Sequence, residues 1–176
     1  DSLFAQQFGA GDDEEFEYHI PHDYLKPSNL HLHVHWSHTG ASVNGGTLTF
    51  TYAMTYAKSH NQAPFPAEVS TTFVGTASTT QYQHILSEVQ VSATSPSANQ
   101  IDSDDIEPDG VIILRLEMTT NNITVSGGGV PDPFIHYVDI HYQSTGVGTK
   151  QKAPDFSEAL CLLVGMTGLA CVTSMF

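Results

Sequence analysis

A chain of 176 residues that is 40% hydrophobic and 10% aromatic has enough apolar mass for one domain with a core, and it falls outside the composition of disordered chains. Its charge is lopsided, with 5 Lys and Arg against 19 Asp and Glu and a formal net charge of −14. So acidic a surface repels phosphates, which excludes nucleic acid as a partner and makes a membrane surface a poor one.

In chain order, residues 1–16 hold Asp12-Asp13-Glu14-Glu15 behind a Gly-Ala-Gly and are expected to form a solvated N-terminal arm. The first residues, Asp1-Ser2-Leu3, have neither a basic start nor a long apolar run, so no signal peptide is read there. From Leu30 to Trp36 and from Thr47 to Tyr56, apolar and polar residues alternate, the mark of half-buried strands. Ile85–Val91, Ile112–Met118, Ile123–Val125 and Phe134–Tyr142 add further strands. Turn chemistry is expected at Asn44-Gly45-Gly46, Pro108-Asp109-Gly110, Asn121-Asn122, Gly127-Gly128-Gly129 and Pro131-Asp132-Pro133. No helical period occurs before residue 155. The expectation is therefore an all-β chain with one antiparallel β-sandwich or jelly roll over residues 17–156.

Residues 157–176 are read as an apolar C-terminal tail. Its last 18 residues, 159–176, carry no charge, yet Gly165, Gly168, Thr173 and Ser174 dilute the stretch, which favours burial against protein over a membrane anchor. Cys161 and Cys171 both lie in it, so no disulfide is expected to staple the body of the fold.

Ten histidines are present, and their placement carries the chemistry. On the strand Leu30–Trp36, one face shows Leu30, Leu32, Val34 and Trp36, and the other shows His31, His33 and His35. Side chains at i and i+2 stand roughly 6–7 Å apart, close enough for two imidazoles to converge on a transition metal such as Fe, Zn or Ni. A strand supplies only part of such a shell. Asp139 and His141, on one face of Val138–Tyr142, are candidates for the rest. Three chains, each giving an H-x-H pair around a three-fold axis, are another source. A metal-free histidine row, solvated or packed at a subunit contact, is the competing account. His19, His22, His38, His60 and His84 are scattered and suggest only local roles.

Enzyme signatures fail. His33-Val34-His35 looks like the first cupin motif but lacks its following Glu, and with Trp36 it looks like a carbonic anhydrase fragment whose third His has no counterpart motif. No nucleophile elbow, P-loop or His-Glu-x-x-His occurs. Asp102, Asp104, Asp105, Glu107 and Asp109 form an acidic loop without EF-hand spacing.

Several segments occur in a fixed order: Ile20-Pro21-His22-Asp23-Tyr24, then Leu30–Trp36, Gly46–Phe50, Val138–Gln143 and Gly146–Lys150. In that order they resemble a group of uncharacterised tailed-bacteriophage structural proteins. The chain departs from that group in continuing through the uncharged tail. The resemblance implies a non-enzymatic virion component on the particle exterior, a capsid decoration or part of a tail fibre or tip. It also implies a homotrimer that contacts other virion proteins. A carbohydrate- or receptor-binding module for a host surface glycan is the alternative, with Tyr24, Tyr82, Tyr137 and Tyr142 as candidate aromatics. A metal-dependent enzyme built on His31, His33 and His35 is a third.

Overall fold

Period-two alternation builds strands, and a computed structural model of the protein, which describes residues 6–146, contains strands and no helix among them. The elements are β1 (Gln6–Gln7), β2 (Asp13–His19), β3 (His31–His38), β4 (Val43–Ala57) and β5 (Val69–Thr76). They continue with β6 (Ile85–Gln90), β7 (Ser92–Ala93), β8 (Ile101–Asp102), β9 (Val111–Val125) and β10 (Pro133–His141). Two four-stranded antiparallel sheets form, in the orders β1-β10-β3-β6 and β2-β9-β4-β5. The pairs β1 with β10, β2 with β9, β3 with β6 and β4 with β5 nest inside one another along the chain. That nesting is the connectivity of a jelly roll. The short parallel pair β7 and β8 lies in the connection from β6 to β9.

The facing surfaces are apolar. Leu32, Val34 and Trp36 of β3 meet Leu48, Phe50, Tyr52 and Met54 of β4 and Ile112, Leu114, Leu116 and Met118 of β9, all fully buried. Trp36 is in the core as its alternation requires, and its indole N–H donates to Ser87 Oγ at 2.9 Å. Gly75 keeps room for it: a Cβ there would stand 3.3 Å from both the Trp36 and Phe50 rings and would collide with Ser87 Oγ.

Three sequence expectations need correction. Residues 6–16 are not an arm. Phe8 is buried and its N–H donates to Pro133 O at 3.0 Å, while β2 pairs along β9. Glu15 and Glu17 alternate with Phe16 and Tyr18 and hold the wet face of a strand, and Asp13 and Glu14 are exposed at its start. Asn44-Gly45-Gly46 is no turn either: it lies inside β4 at a bulge, with Gly45 and Gly46 at φ +137° and +97°. Asn121-Asn122 likewise continues β9, paired with Leu48 and Thr47, because a long ladder overrides local turn preference. The tail 157–176 and both cysteines lie outside the described residues. Among the described residues, no helix is long and apolar enough to cross a membrane.

Candidate metal centre

Strand register decides which histidines meet. On β3, alternation turns His31, His33 and His35 to the outer face of their sheet. Pairing sets His31 opposite His141, His33 opposite Asp139 and His35 opposite Tyr137 on β10. On the other side, His31, His33 and His35 face Gln90, Glu88 and Leu86 of β6. A bulge between Ile135 and Tyr137 absorbs His136 and brings Tyr137, Asp139 and His141 onto this face.

Three of the five expected ligands converge. One donor atom from each of His33, His35 and Asp139 lies within 4.8 Å of the others. His141 turns its Nε2 to Asp139 Oδ2, 2.9 Å away, and does not join the trio. His31 stands apart in a cleft of about 430 Å³ that it lines with His33, Glu88 and His141. Although the face is outward, His33 and His35 are only 5% and 7% exposed. The His141 ring lies against His33, with centroids 3.7 Å apart, and the Tyr137 ring stacks on His35 at 4.0 Å and 16°.

Hydrogen bonding sets the His33 tautomer. Glu88 Oε2 sits 2.6 Å from His33 Nε2, and an ionised carboxylate only accepts. His33 Nε2 therefore carries the proton, and its Nδ1 presents a lone pair, buried and without a hydrogen-bond partner in the protein. His35 Nδ1 meets His84 Nε2 at 2.8 Å. With His35 Nδ1 as the donor, His35 Nε2 also presents a lone pair. It stands 3.2 Å from Asp139 Oδ1 without hydrogen-bond alignment, and both atoms are buried and unpartnered. In that tautomer, His33 Nδ1, His35 Nε2 and Asp139 Oδ1 are three buried acceptors without hydrogen-bond partners. Acceptors repel unless a cation lies between them, and two imidazoles with one carboxylate are donors that suit Zn²⁺, Fe²⁺ or Ni²⁺.

Electrostatics favour the ligating form. Burial, the main cause, pushes His35 below its usual pKa; the charge of Asp139 opposes this, and the neighbouring His84 and His33 reinforce it. A neutral ring is the form that binds metal. Burial and the charge of Asp139 together push the Tyr18 hydroxyl far up, so it stays a donor to Val138 O at 2.6 Å.

Glu88 and His84, which hold the two ligand rings, were not expected from the sequence. Glu88 does sit on the wet face of the predicted strand Ile85–Val91, but alternation does not say which strand lies beside it. Of the four tyrosines considered for glycan contact, Tyr24 is in the core. Tyr142 donates to Asp23 Oδ1 at 3.0 Å, while Tyr82 and Tyr137 are exposed. Comparison with protein families, curated proteins and solved structures gave no match for this chain.

Proposed function

We propose that this protein is a non-enzymatic structural module of a phage virion, a trimeric jelly roll at the particle exterior. In this proposal it holds a structural transition-metal ion on the outer face of its β3–β10 ladder. The observation that carries the metal is the three buried, unpartnered acceptors His33 Nδ1, His35 Nε2 and Asp139 Oδ1. The jelly-roll connectivity, common in capsid proteins, and the ordered segments from Ile20 to Lys150 support the virion reading. Because the trio comes from one chain, the expected load is one ion per chain, not one shared on a three-fold axis.

Metal analysis and native mass spectrometry of the same Zn²⁺-loaded sample test both parts. Wild type should run as a trimer, and the double variant His33→Gln, His35→Gln should lose one ion per chain. An unchanged metal content in that variant removes the site. A monomer at micromolar concentration removes the trimer.

A metal-dependent enzyme has one observation in its favour. Among the described residues, three donors rather than four converge, the arrangement that leaves a coordination position open. Azide added to the Co²⁺-loaded protein distinguishes the two. A changed visible spectrum reports an exchangeable position and favours the enzyme; an unchanged spectrum favours the structural role.

A further inference from the structure

The cleft of about 430 Å³ on the outer face is built by four separate segments. β3 supplies His31 and His33, β6 supplies Glu88 from one side, and the end of β10 supplies His141 to Gln143 from the other. The turn that leads into β3 adds Pro27 and Asn29. Hydrogen bonds hold that turn in place. Leu25 N–H donates to Gln143 O at 2.8 Å and Thr145 N–H to Asp23 O at 2.7 Å, which tie it to the chain after β10. The Tyr24 hydroxyl donates to Ser28 O at 2.6 Å, and Leu30 N–H donates to Ser92 Oγ at 2.8 Å. The cleft is therefore preformed, and a ligand that enters it has little backbone to order.

Its volume lies within the range of small-molecule sites, about 300–1,000 Å³. Its chemistry narrows the ligand. Apart from Pro27, every lining residue has a polar side chain, so a purely apolar guest would strip water from groups it cannot satisfy. No Lys or Arg lines it, so a phosphate or carboxylate group meets no counter-charge. Its one carboxylate, Glu88, already accepts from His33 Nε2 through Oε2, so a cation finds no free acidic cage. What remains is neutral hydrogen bonding of both senses. The bonds already made along the wall run from His33 to Glu88, from His141 to Asp139 and from Tyr142 to Asp23. They leave the His31 ring, the Gln143 amide and the second oxygen of Glu88 for a ligand. Imidazole, amide and carboxylate together donate and accept, as each hydroxyl of a sugar does. Tyr142, its hydroxyl held by Asp23, and Pro27 add the apolar surface that the C–H groups of a sugar ring require. Of the four tyrosines considered for glycan contact, Tyr142 alone lines this cleft.

We propose that the cleft binds a neutral, hydroxyl-rich ligand, a sugar residue of a glycan, with His31, Gln143 and Glu88 taking its hydroxyls. The site goes beyond the structural reading and requires neither the metal nor the trimer. The test is an array of immobilised oligosaccharides, followed by calorimetry with the best-bound free sugar. Neutral members built from glucose, galactose, mannose and N-acetylhexosamines stand beside sialylated and phosphorylated ones. Wild type should bind at least one neutral glycan. His31→Ala with Gln143→Ala should weaken that binding at least tenfold and keep the wild-type Tm, because neither side chain is in the core. Gln143→Ala alone, at an exposed position, should weaken it in the same direction. Tyr82→Ala, at an exposed tyrosine outside the cleft, should bind as wild type does. The inference is overturned if no neutral glycan binds, if only the acidic glycans bind, or if His31→Ala with Gln143→Ala binds as tightly as wild type.

Discussion

Glu88 touches no metal donor atom of its neighbour directly, yet it sets the His33 tautomer through a 2.6 Å hydrogen bond. Glu88→Gln should therefore lower affinity at the outer-face site by about 10–100-fold without abolishing it, as carboxylates behind a ligand histidine generally do. Competition against a chelator of known affinity measures this, and unchanged affinity would remove Glu88 from the site. The metal-free protein should also be sensitive to mild acid. Burial holds His35 and His136 below the usual 6.5, with the nearby His84 adding to both. In the unfolded chain the same rings take up protons near pH 6.5, so below that value the unfolded state binds more protons. Stability is thus whole above about pH 6.5, declines as pH falls through it, and levels off below the folded values. Asp23 and Asp109, held below the usual 3.8 chiefly by hydrogen bonds from Ser144 and His22, lose their contribution only in stronger acid. Urea midpoints for chelated protein should fall between about pH 7.5 and 5.5, and His35→Gln with His136→Gln should flatten that decline. A flat wild-type profile would contradict the assignment.

Within the strands, packing between the sheets sets the larger costs. Trp36 is fully buried against β4 and β5, and Trp36→Ala should cost about 3–5 kcal/mol through the cavity it leaves. Gly46 tests the bulge that bends β4. At φ +97°, a Cβ there would collide with the Asn122 carbonyl and stand 2.7 Å from Ile123 Cα. Both neighbours are backbone and have little freedom to move, so Gly46→Ala should cost at least about 1–3 kcal/mol. Urea unfolding of each variant measures these figures. A Gly46→Ala protein as stable as wild type would show that the bulge relaxes into regular pairing.

For the molecule as a whole, charge works against compactness. A net charge of −14 is spread over a chain with only 5 basic residues. Its long-range repulsion is screened once the Debye length falls to about 10 Å, near 0.1 M salt. Salt also weakens attractive pairs. Among the described residues those of Lys and Arg are Lys58 with Asp105 at 3.1 Å and Arg115 with Asp13 at 3.4 Å, exposed contacts each worth no more than about 1 kcal/mol. The repulsion is the larger effect, so Tm should rise as NaCl is raised from low concentration. A Tm that falls with NaCl would mean that these few pairs outweigh the net charge.

Alternation along Leu30–Trp36, Thr47–Tyr56 and Ile112–Met118 was enough to establish strands, the burial of Trp36 and the outward face of His31, His33 and His35. Side-chain period on a strand is a local property, written in consecutive residues. Turn signals were less dependable: Asn44-Gly45-Gly46 and Asn121-Asn122 read as breaks, but pairing between β4 and β9 carried both through as strand. Which residues share a site is not local at all. Asp139 meets His33 and His35 because β10 returns beside β3 with a bulge at His136, and Glu88 reaches His33 because β6 lies on the other side. His19, His22 and His60 looked scattered and Asp109 was read as part of an acidic loop; only the place of β9 between β2 and β4 brings the three rings near that carboxylate. Strand order and register arise from long-range pairing and from the packing of two sheets on one core, and those contacts join residues far apart in the chain.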